Sequence, residues 1–243
     1  MDVTIIALYK DCKRGNQMNE YEDSFSISED SLKVSVADGA TEASFSKEWS
    51  QILTKHYISN PIEIITNEWL NLAYDEFYKN IDIGRLPWHA QNKIIEQGSY
   101  STLTGISIDQ EAESFTGIVI GDSCIFWIDN EGMHKFPFRS EQEFNSRPYL
   151  INTLKQNNEE IEDEKNQKIL PYFKFSEGST RIYLATDALS CWIVSEDCKG
   201  NKPCEILDGL DNEQEFVKFV DNLRDNGELK NDDVTLVILE IMK

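Results

Sequence analysis

Val34-Ser-Val-Ala-Asp-Gly-Ala-Thr-Glu-Ala-Ser-Phe-Ser46 is the stretch on which the reading of this chain turns. Leu32, Val34, Val36 and Asp38 share one parity of a period-two run, so a strand that buries the first three delivers a carboxylate at its end. Gly39 follows directly. Lacking a Cβ, it lets the chain turn tightly and leaves a backbone carbonyl open to close approach, a second oxygen for an ion held beside Asp38. Phe45, Trp49, Ile52, Leu53 and Tyr57 then recur at helical spacing, which predicts an amphipathic helix lying against the sheet that carries the aspartate. Asp-Gly alone is an ordinary turn dipeptide. It gains meaning only if other strand ends carry carboxylates too.

Composition narrows the classes of function. The 243 residues hold 44 Asp and Glu against 23 Lys and Arg, a formal net charge of -21. Such a charge disfavours nucleic acid and anionic membranes and suits divalent cations or basic protein surfaces. Most of these acids are solvated surface, and only a few need be ligands. The length supports a substantial core, and with no low-complexity linker evident we read one domain over 1–243. Cys12, Cys124, Cys191, Cys198 and Cys204 are odd in number and lack Cys-x-x-Cys spacing, which argues against a disulfide framework or a zinc knuckle. No apolar run approaches a membrane span and the N-terminal residues do not resemble a signal peptide, so the expectation is a cytoplasmic protein.

Outward from the opening stretch, Val3 to Tyr9 and Glu22 to Ile27 read as strands, the second forming a hairpin with the Asp38 strand across the polar residues 28–31. Asn60-Pro61 predicts the start of a second helix marked by Ile62, Ile65, Trp69, Leu72 and Phe77 or Tyr78, and a shorter helix follows Pro87. Four strands between Thr102 and Phe136 read as an antiparallel meander. Residues 139–169, with Glu159-Glu-Ile-Glu-Asp-Glu-Lys165 at their centre, predict a mobile, partly helical excursion. The core resumes with 181–187, helices from about Ala188 and over Glu213 to Leu223, and a last strand Val234 to Ile241.

The acids now fall into a pattern. Asp187 ends the apolar run 182–185 as Asp38 ends its own, Asp232 and Asp233 precede the run 234–239, and Asp122 occupies a turn between two strands. Carboxylates converging from strand ends repel one another unless cations neutralise them. Hard oxygen donors with no His or Cys cluster favour Mg²⁺ or Mn²⁺ over zinc. Periodicity leaves Asp232 and Asp233 as alternatives.

The order Glu22-Asp23, Val36-Ala-Asp-Gly39, Gly98-Ser-Tyr-Ser-Thr102, Gly121-Asp-Ser123, Ala185-Thr-Asp-Ala188 and Asp232-Asp-Val-Thr235 resembles the metal-dependent protein phosphatases, the PPM or type 2C family, across nearly the whole chain. The resemblance implies an α+β fold, a four-layer α-β-β-α sandwich of two antiparallel sheets flanked by helices, with 139–169 in the place of the family's variable flap. It implies a phosphoserine and phosphothreonine phosphatase using two Mn²⁺ or Mg²⁺ ions and, in some relatives, a third. A water bridging the two metals would be the nucleophile. Asp38, Asp187 and Asp232 are the implied catalytic set. Asp38 would bridge the two ions, with the Gly39 carbonyl and Glu22 on the second, Asp187 and Asp232 on the first, and Asp122 with Asp187 on the third. Asp23 would support Glu22 from behind, and Asp232 is chosen over Asp233 because the family's ligand is the first residue of that motif. The implied partners are a phosphoprotein substrate and the pathway of a cognate Ser/Thr kinase.

Two departures stand out. Met18 occupies the place where the family commonly has its phosphate-holding arginine, five residues before Asp23, so Arg14, or else Lys13, is the expected substitute. Ala40 stands where many animal relatives have a histidine after Asp-Gly. The alternative to catalysis is a pseudophosphatase or an acidic metal-binding docking protein of the same fold. Retention of Asp38, Asp187 and Asp232 weighs against it.

Overall fold

The computed structural model describes residues 1–41, 43–144 and 147–243. Glu42, within the opening stretch, and Asn145 and Ser146, within the expected excursion, lie outside the described residues. The strands are β1 (Asp2–Asp11), β2 (Ser24–Ile27), β3 (Lys33–Ala37), β4 (Tyr100–Ser101), β5 (Leu103–Asp109), β6 (Ser114–Ile120), β7 (Cys124–Asp129), β8 (Gly132–Phe136), β9 (Ile151–Asn152), β10 (Gln167–Lys174), β11 (Ser179–Ala185) and β12 (Val234–Met242). The helices are α1 (Ser46–Ser59), α2 (Asn67–Asn80), α3 (Trp88–Glu96), α4 (Asp187–Cys198), α5 (Pro203–Asp208) and α6 (Glu213–Asp225).

One antiparallel sheet runs β1-β12-β11-β7-β8 and a second runs β10-β6-β5-β3-β2, with β4 and β9 forming a small pair. Strand alternation explains how they stack. In β12, Val237, Leu239 and Ile241 enter a core shared with Val34 and Val36 of β3 and Ile106 of β5, which lies between the sheets. The opposite parity, Val234, Leu236 and Ile238, packs with Leu189, Ile193, Phe216 and Val220 of α4 and α6. On the other outer face, Trp49, Leu53, Leu70, Phe77 and Ile94 of α1, α2 and α3 cover Leu103, Ile118 and Ile120. Each sheet thus buries both faces, and the α-β-β-α sandwich is the result.

The β2–β3 hairpin forms as expected, with Ile27 opposite Val34. The meander does not. β5 pairs with β6 and β7 with β8, but β6 and β7 lie in different sheets, so the chain crosses the sandwich at Gly121-Asp122-Ser123. Gly121 makes that crossing at φ 104, a backbone region glycine adopts without a Cβ penalty. The four strands were legible between their polar turns, but strand order was not.

The second helix begins at Asn67 rather than at Pro61. Its cap is Thr66, whose side chain accepts from the Trp69 backbone N–H at 3.1 Å. The amide and carbonyl of Ile65, which helix formation would claim, are both taken by the buried Gln167 side chain. The buried face is accordingly Leu70, Ala73, Tyr74 and Phe77, and Leu72 is exposed. Residues 139–169 contain two short 3-10 turns and no α-helix among the described residues. Their second half is built into the core: Ile151 and Ile161 are fully buried, the Ile151 carbonyl accepts from the Trp49 indole, and Asn158 bonds Tyr74.

Candidate active site

The register of the two sheets decides what meets at one end of the sandwich. In the first sheet Ala185, the last residue of β11, pairs with Cys124 at the start of β7 and Leu236 near the start of β12. Asp122, Asp187 and Asp232 precede or follow these positions by two to four residues, so they gather at one edge. In the second sheet Asp38, just past β3, is held against the start of β5. Thr102 donates its amide to the Asp38 carbonyl at 2.9 Å, and its hydroxyl accepts the Asp38 amide at 2.8 Å. Ser101 Oγ adds a second donor to that carbonyl at 2.9 Å. The 98–102 motif thereby fixes the backbone of the aspartate the fold was read from.

Gly39 is sterically required. A Cβ there would lie 2.7 Å from the Glu22 carbonyl oxygen and 2.8 Å from that of Ser46, both rigid backbone atoms. The close approach brings Glu22 beside the Asp38 turn, where its carboxylate accepts from Ser46 Oγ.

Asp38, Asp122, Asp187 and Asp232 line one cavity of about 650 Å³. Asp122 is 7% and Asp187 9% exposed. Asp187 Oδ1 is buried with no hydrogen-bond partner among the described residues. Burial, followed by the fields of Asp23, Asp187, Asp232 and Asp122, holds the Asp38 carboxyl well above the usual carboxylate range. Burial and Asp187 push Asp122 up to about 7. Asp187 is raised by burial too, against the opposing field of Lys230.

Asp23 lies behind this group, 2% exposed, its Oδ2 accepting from Thr186 Oγ1 at 2.9 Å and Thr235 Oγ1 at 2.7 Å while Oδ1 is unpartnered. Burial raises it to about 8. The two adjacent acids before β12 have separate work. Asp232 lines the cavity, whereas Asp233 accepts the backbone amides of Lys13 at 2.8 Å and Glu22 at 2.7 Å and so ties the loop from 13 to 22 to the start of β12.

Arg14 does not line the cavity. Its guanidinium is spent on α6, with Nε 3.0 Å from Asp221 Oδ1, Nη1 2.6 Å from Asp225 Oδ1 and Nη2 2.7 Å from the Asp221 carbonyl. Lys13 and Glu22 do not line the cavity either; they line an adjoining hollow that shares Thr41 with it, with Lys13 Nζ 2.8 Å from Thr41 Oγ1 and 3.6 Å from Glu22 Oε2.

Sequence reading missed two further groups. Lys230 is the one base among the described residues that line the cavity, with Nζ 2.6 Å from Asp232 Oδ2 and 3.2 Å from Asp187 Oδ2. Although burial opposes its charge, the two carboxylates together raise its pKa. Arg224 is buried beneath, donating to Asp11 Oδ2 at 2.6 Å and to the Asp232 carbonyl at 2.7 Å. Lys230 was visible two residues before Asp232. Nothing local marked Arg224.

Four carboxylates in one cavity, one of them with a buried unpartnered oxygen, and pKa values raised by one another's fields fit a hard divalent cation in their chemistry. Among the described residues, no group of three or more His, Cys, Asp or Glu is spaced to hold an ion as it stands. Lys230 already bridges two of the acids.

No family model matches the chain, and no curated protein does. Solved structures do. The Mycobacterium tuberculosis serine/threonine phosphatase PstP/Ppp superposes with a TM-score of 0.61 at 15% identity, covering 99% of each chain. The PstP catalytic domain in complex with two manganese ions gives 0.60 at 14% identity, again over 99% of both. Serine/threonine phosphatase Stp1 from Staphylococcus aureus gives 0.57 at 14% identity over 100% of this chain and 95% of that one. The α-β-β-α sandwich is therefore the fold of the PPM-type phosphatases.

Proposed function

We propose that this protein is a metal-dependent phosphoprotein phosphatase that hydrolyses phosphoserine and phosphothreonine esters. One observation carries the reading: four carboxylates, delivered by separate strand ends from both sheets, line a single cavity in which Lys230 is the one base among the described lining residues. A site that concentrates uncompensated negative charge is costly in a protein without a cation to bind. Asp38, Asp187 and Asp232 would hold one Mg²⁺ or Mn²⁺, Asp38, Glu22 and the Gly39 carbonyl another, and Asp122 with Asp187 a third. The chemistry such ions would supply there is activation of water for attack on phosphorus and an offset to the charge on the phosphoryl oxygens.

The chain's own residues supply the rest. Thr102 and Ser101 keep Asp38 from turning away, Asp23 braces the β11–α4 turn against β12, and Asp233 holds the loop that presents Glu22. Phe144, Leu150 and Trp192 give the cavity an apolar wall against which the substrate backbone beside the phosphorylated residue would lie. Lys13, beside Glu22 and Thr41, is better placed than Arg14 to meet a phosphoryl oxygen. The implied partner is a phosphoprotein, opposing a Ser/Thr kinase. Five free cysteines suit a reducing compartment such as the cytoplasm. Among the described residues no helix is long and apolar enough to cross a membrane.

A second reading, a non-catalytic docking protein of this fold, draws on Lys230. It closes the Asp187–Asp232 pair without any ion. Hydrolysis of p-nitrophenyl phosphate and a phosphothreonine peptide by chelator-stripped protein, before and after adding Mn²⁺, separates the two. Activity that appears with Mn²⁺ and disappears in excess chelator supports the phosphatase. Stoichiometric peptide binding without turnover supports the docking protein.

A further inference from the structure

Resting on the metal-site reading, we propose that Lys230 is an internal counter-ion that competes with divalent cations for Asp187 and Asp232, and so sets the cation concentration at which the site fills. Its Nζ contacts one oxygen of each acid, Oδ2 of Asp187 at 3.2 Å and Oδ2 of Asp232 at 2.6 Å. The turn in which the Asp232 amide donates to the Lys230 carbonyl at 3.0 Å brings that ammonium back over the acids.

The neutralisation is incomplete. Asp187 Oδ1 remains buried without a hydrogen-bond partner among the described residues, and the ion pairs of Lys230 go to Asp187 and Asp232, while Asp122 feels its charge only at longer range. A single ammonium carries one charge and three donors, whereas a divalent cation brings twice the charge and accepts oxygen lone pairs from several directions. The cation should therefore win, at a threshold raised by the ammonium it must displace. Lys230 can leave cheaply: its side chain is 65% exposed, and its flexible stem can swing into solvent. The acids cannot follow, because Asp187 sits in the first turn of α4 and the Asp232 backbone is held by Arg224. Competition for a fixed pair of carboxylates makes this residue a tuner of loading.

The test is calorimetric titration of Mn²⁺, the metal alone, into chelator-stripped wild type, Lys230→Met and Lys230→Arg at one ionic strength. Lys230→Met should bind Mn²⁺ about tenfold more tightly or better, as expected when a competing charge is removed. Lys230→Arg, which keeps the charge, should stay close to wild type. By circular dichroism, metal-free Lys230→Met should melt below wild type, the gap closing in saturating Mn²⁺. Damage to the local structure would weaken binding, so tighter binding cannot come from it. Equal affinities of wild type and Lys230→Met overturn the counter-ion role and leave the metal-site reading standing, as does weaker binding by folded Lys230→Met. Absence of Mn²⁺ binding in every variant overturns both.

Discussion

Two groups of carboxylates in this molecule are handled in opposite ways. On the flank of the first sheet, Arg181 lies 2.6 Å from Asp208 Oδ2 and 3.1 Å from Glu240 Oε1, and Tyr183 donates to Asp208 at 2.9 Å. Both carboxylates there contact the same guanidinium, and the group reads as structural. At the strand ends, Asp122 and Asp187 are buried and Asp38 half-buried, and Lys230, the one base among the described residues lining the cavity, is ion-paired to Asp187 and Asp232. Buried carboxylates with too few counter-charges raise one another's pKa and oppose folding, and the contrast is what the proposed cation site would require of the second group.

The largest effect should follow from removing charge at the centre of the unpaired group. Asp38→Asn and Asp187→Ala should each lower kcat by about a hundredfold or more in Mn²⁺. The corresponding change in the paired group, Asp208→Asn, should leave kcat within about twofold of wild type. In chelator the order reverses for stability. Asp38→Asn should melt above wild type because it relieves repulsion, and Asp208→Asn should melt below because it strips Arg181 of a partner. Equal kcat for Asp38→Asn and wild type would break the comparison.

Next in size is a steric effect. Gly39→Ala forces a methyl against the Glu22 and Ser46 carbonyls and should destabilise the protein by about 1–3 kcal/mol in urea unfolding, with a loss of activity because the Asp38 turn shifts. Gly132→Ala is the control for glycine conformation alone. It has positive φ but no atom within 4 Å of its added methyl, so it should cost only the backbone strain of a left-handed alanine.

A pH effect sharpens the same contrast. Asp122 and Asp23 are raised to about 7 and about 8 in the folded protein, while the unfolded carboxyls titrate near the ordinary value of about 3.9. Folded protein therefore holds these protons more tightly than unfolded protein, and stability falls as pH rises between about 4 and 8. In chelator the melting temperature should drop from pH 5 to pH 8, and saturating Mn²⁺ should flatten the slope by favouring the charged forms. A melting temperature that rises over that interval in chelator would contradict the burial of these acids.

The smallest effect is expected from Arg14. Its fork is engaged by Asp221 and Asp225 at the surface, so Arg14→Ala should keep kcat/KM for a phosphopeptide within about twofold of wild type. Lys13→Ala should raise KM by about fivefold, the loss of one exposed charged contact. If Arg14→Ala proves the more damaging of the two, the phosphate is held from the α6 side.

Much of this architecture could be read from the chain. A period-two run at 34–36 and continuous apolar runs at 182–185 and 234–239, followed or preceded by Asp38, Asp187 and Asp232, implied that buried strands end in carboxylates, and the order of six short motifs implied the sandwich that joins them. Local spacing carries that information because a strand or helix places its side chains by geometry alone. Tertiary structure decided what spacing cannot express. Whether β6 pairs with β7 or crosses to the other sheet depends on contacts far apart in sequence, as does the loss of helix at 61–65 to the side chain of Gln167. The division of labour between Asp232 and Asp233 came from the distant amides of Lys13 and Glu22, and the loss of Arg14 to α6 from Asp221 and Asp225. Lys230 took its place among the acids because two strand ends and a helix N-terminus meet there. A charge acquires its partner only when the chain has folded, since electrostatic contacts depend on distance in space and are indifferent to distance along the sequence.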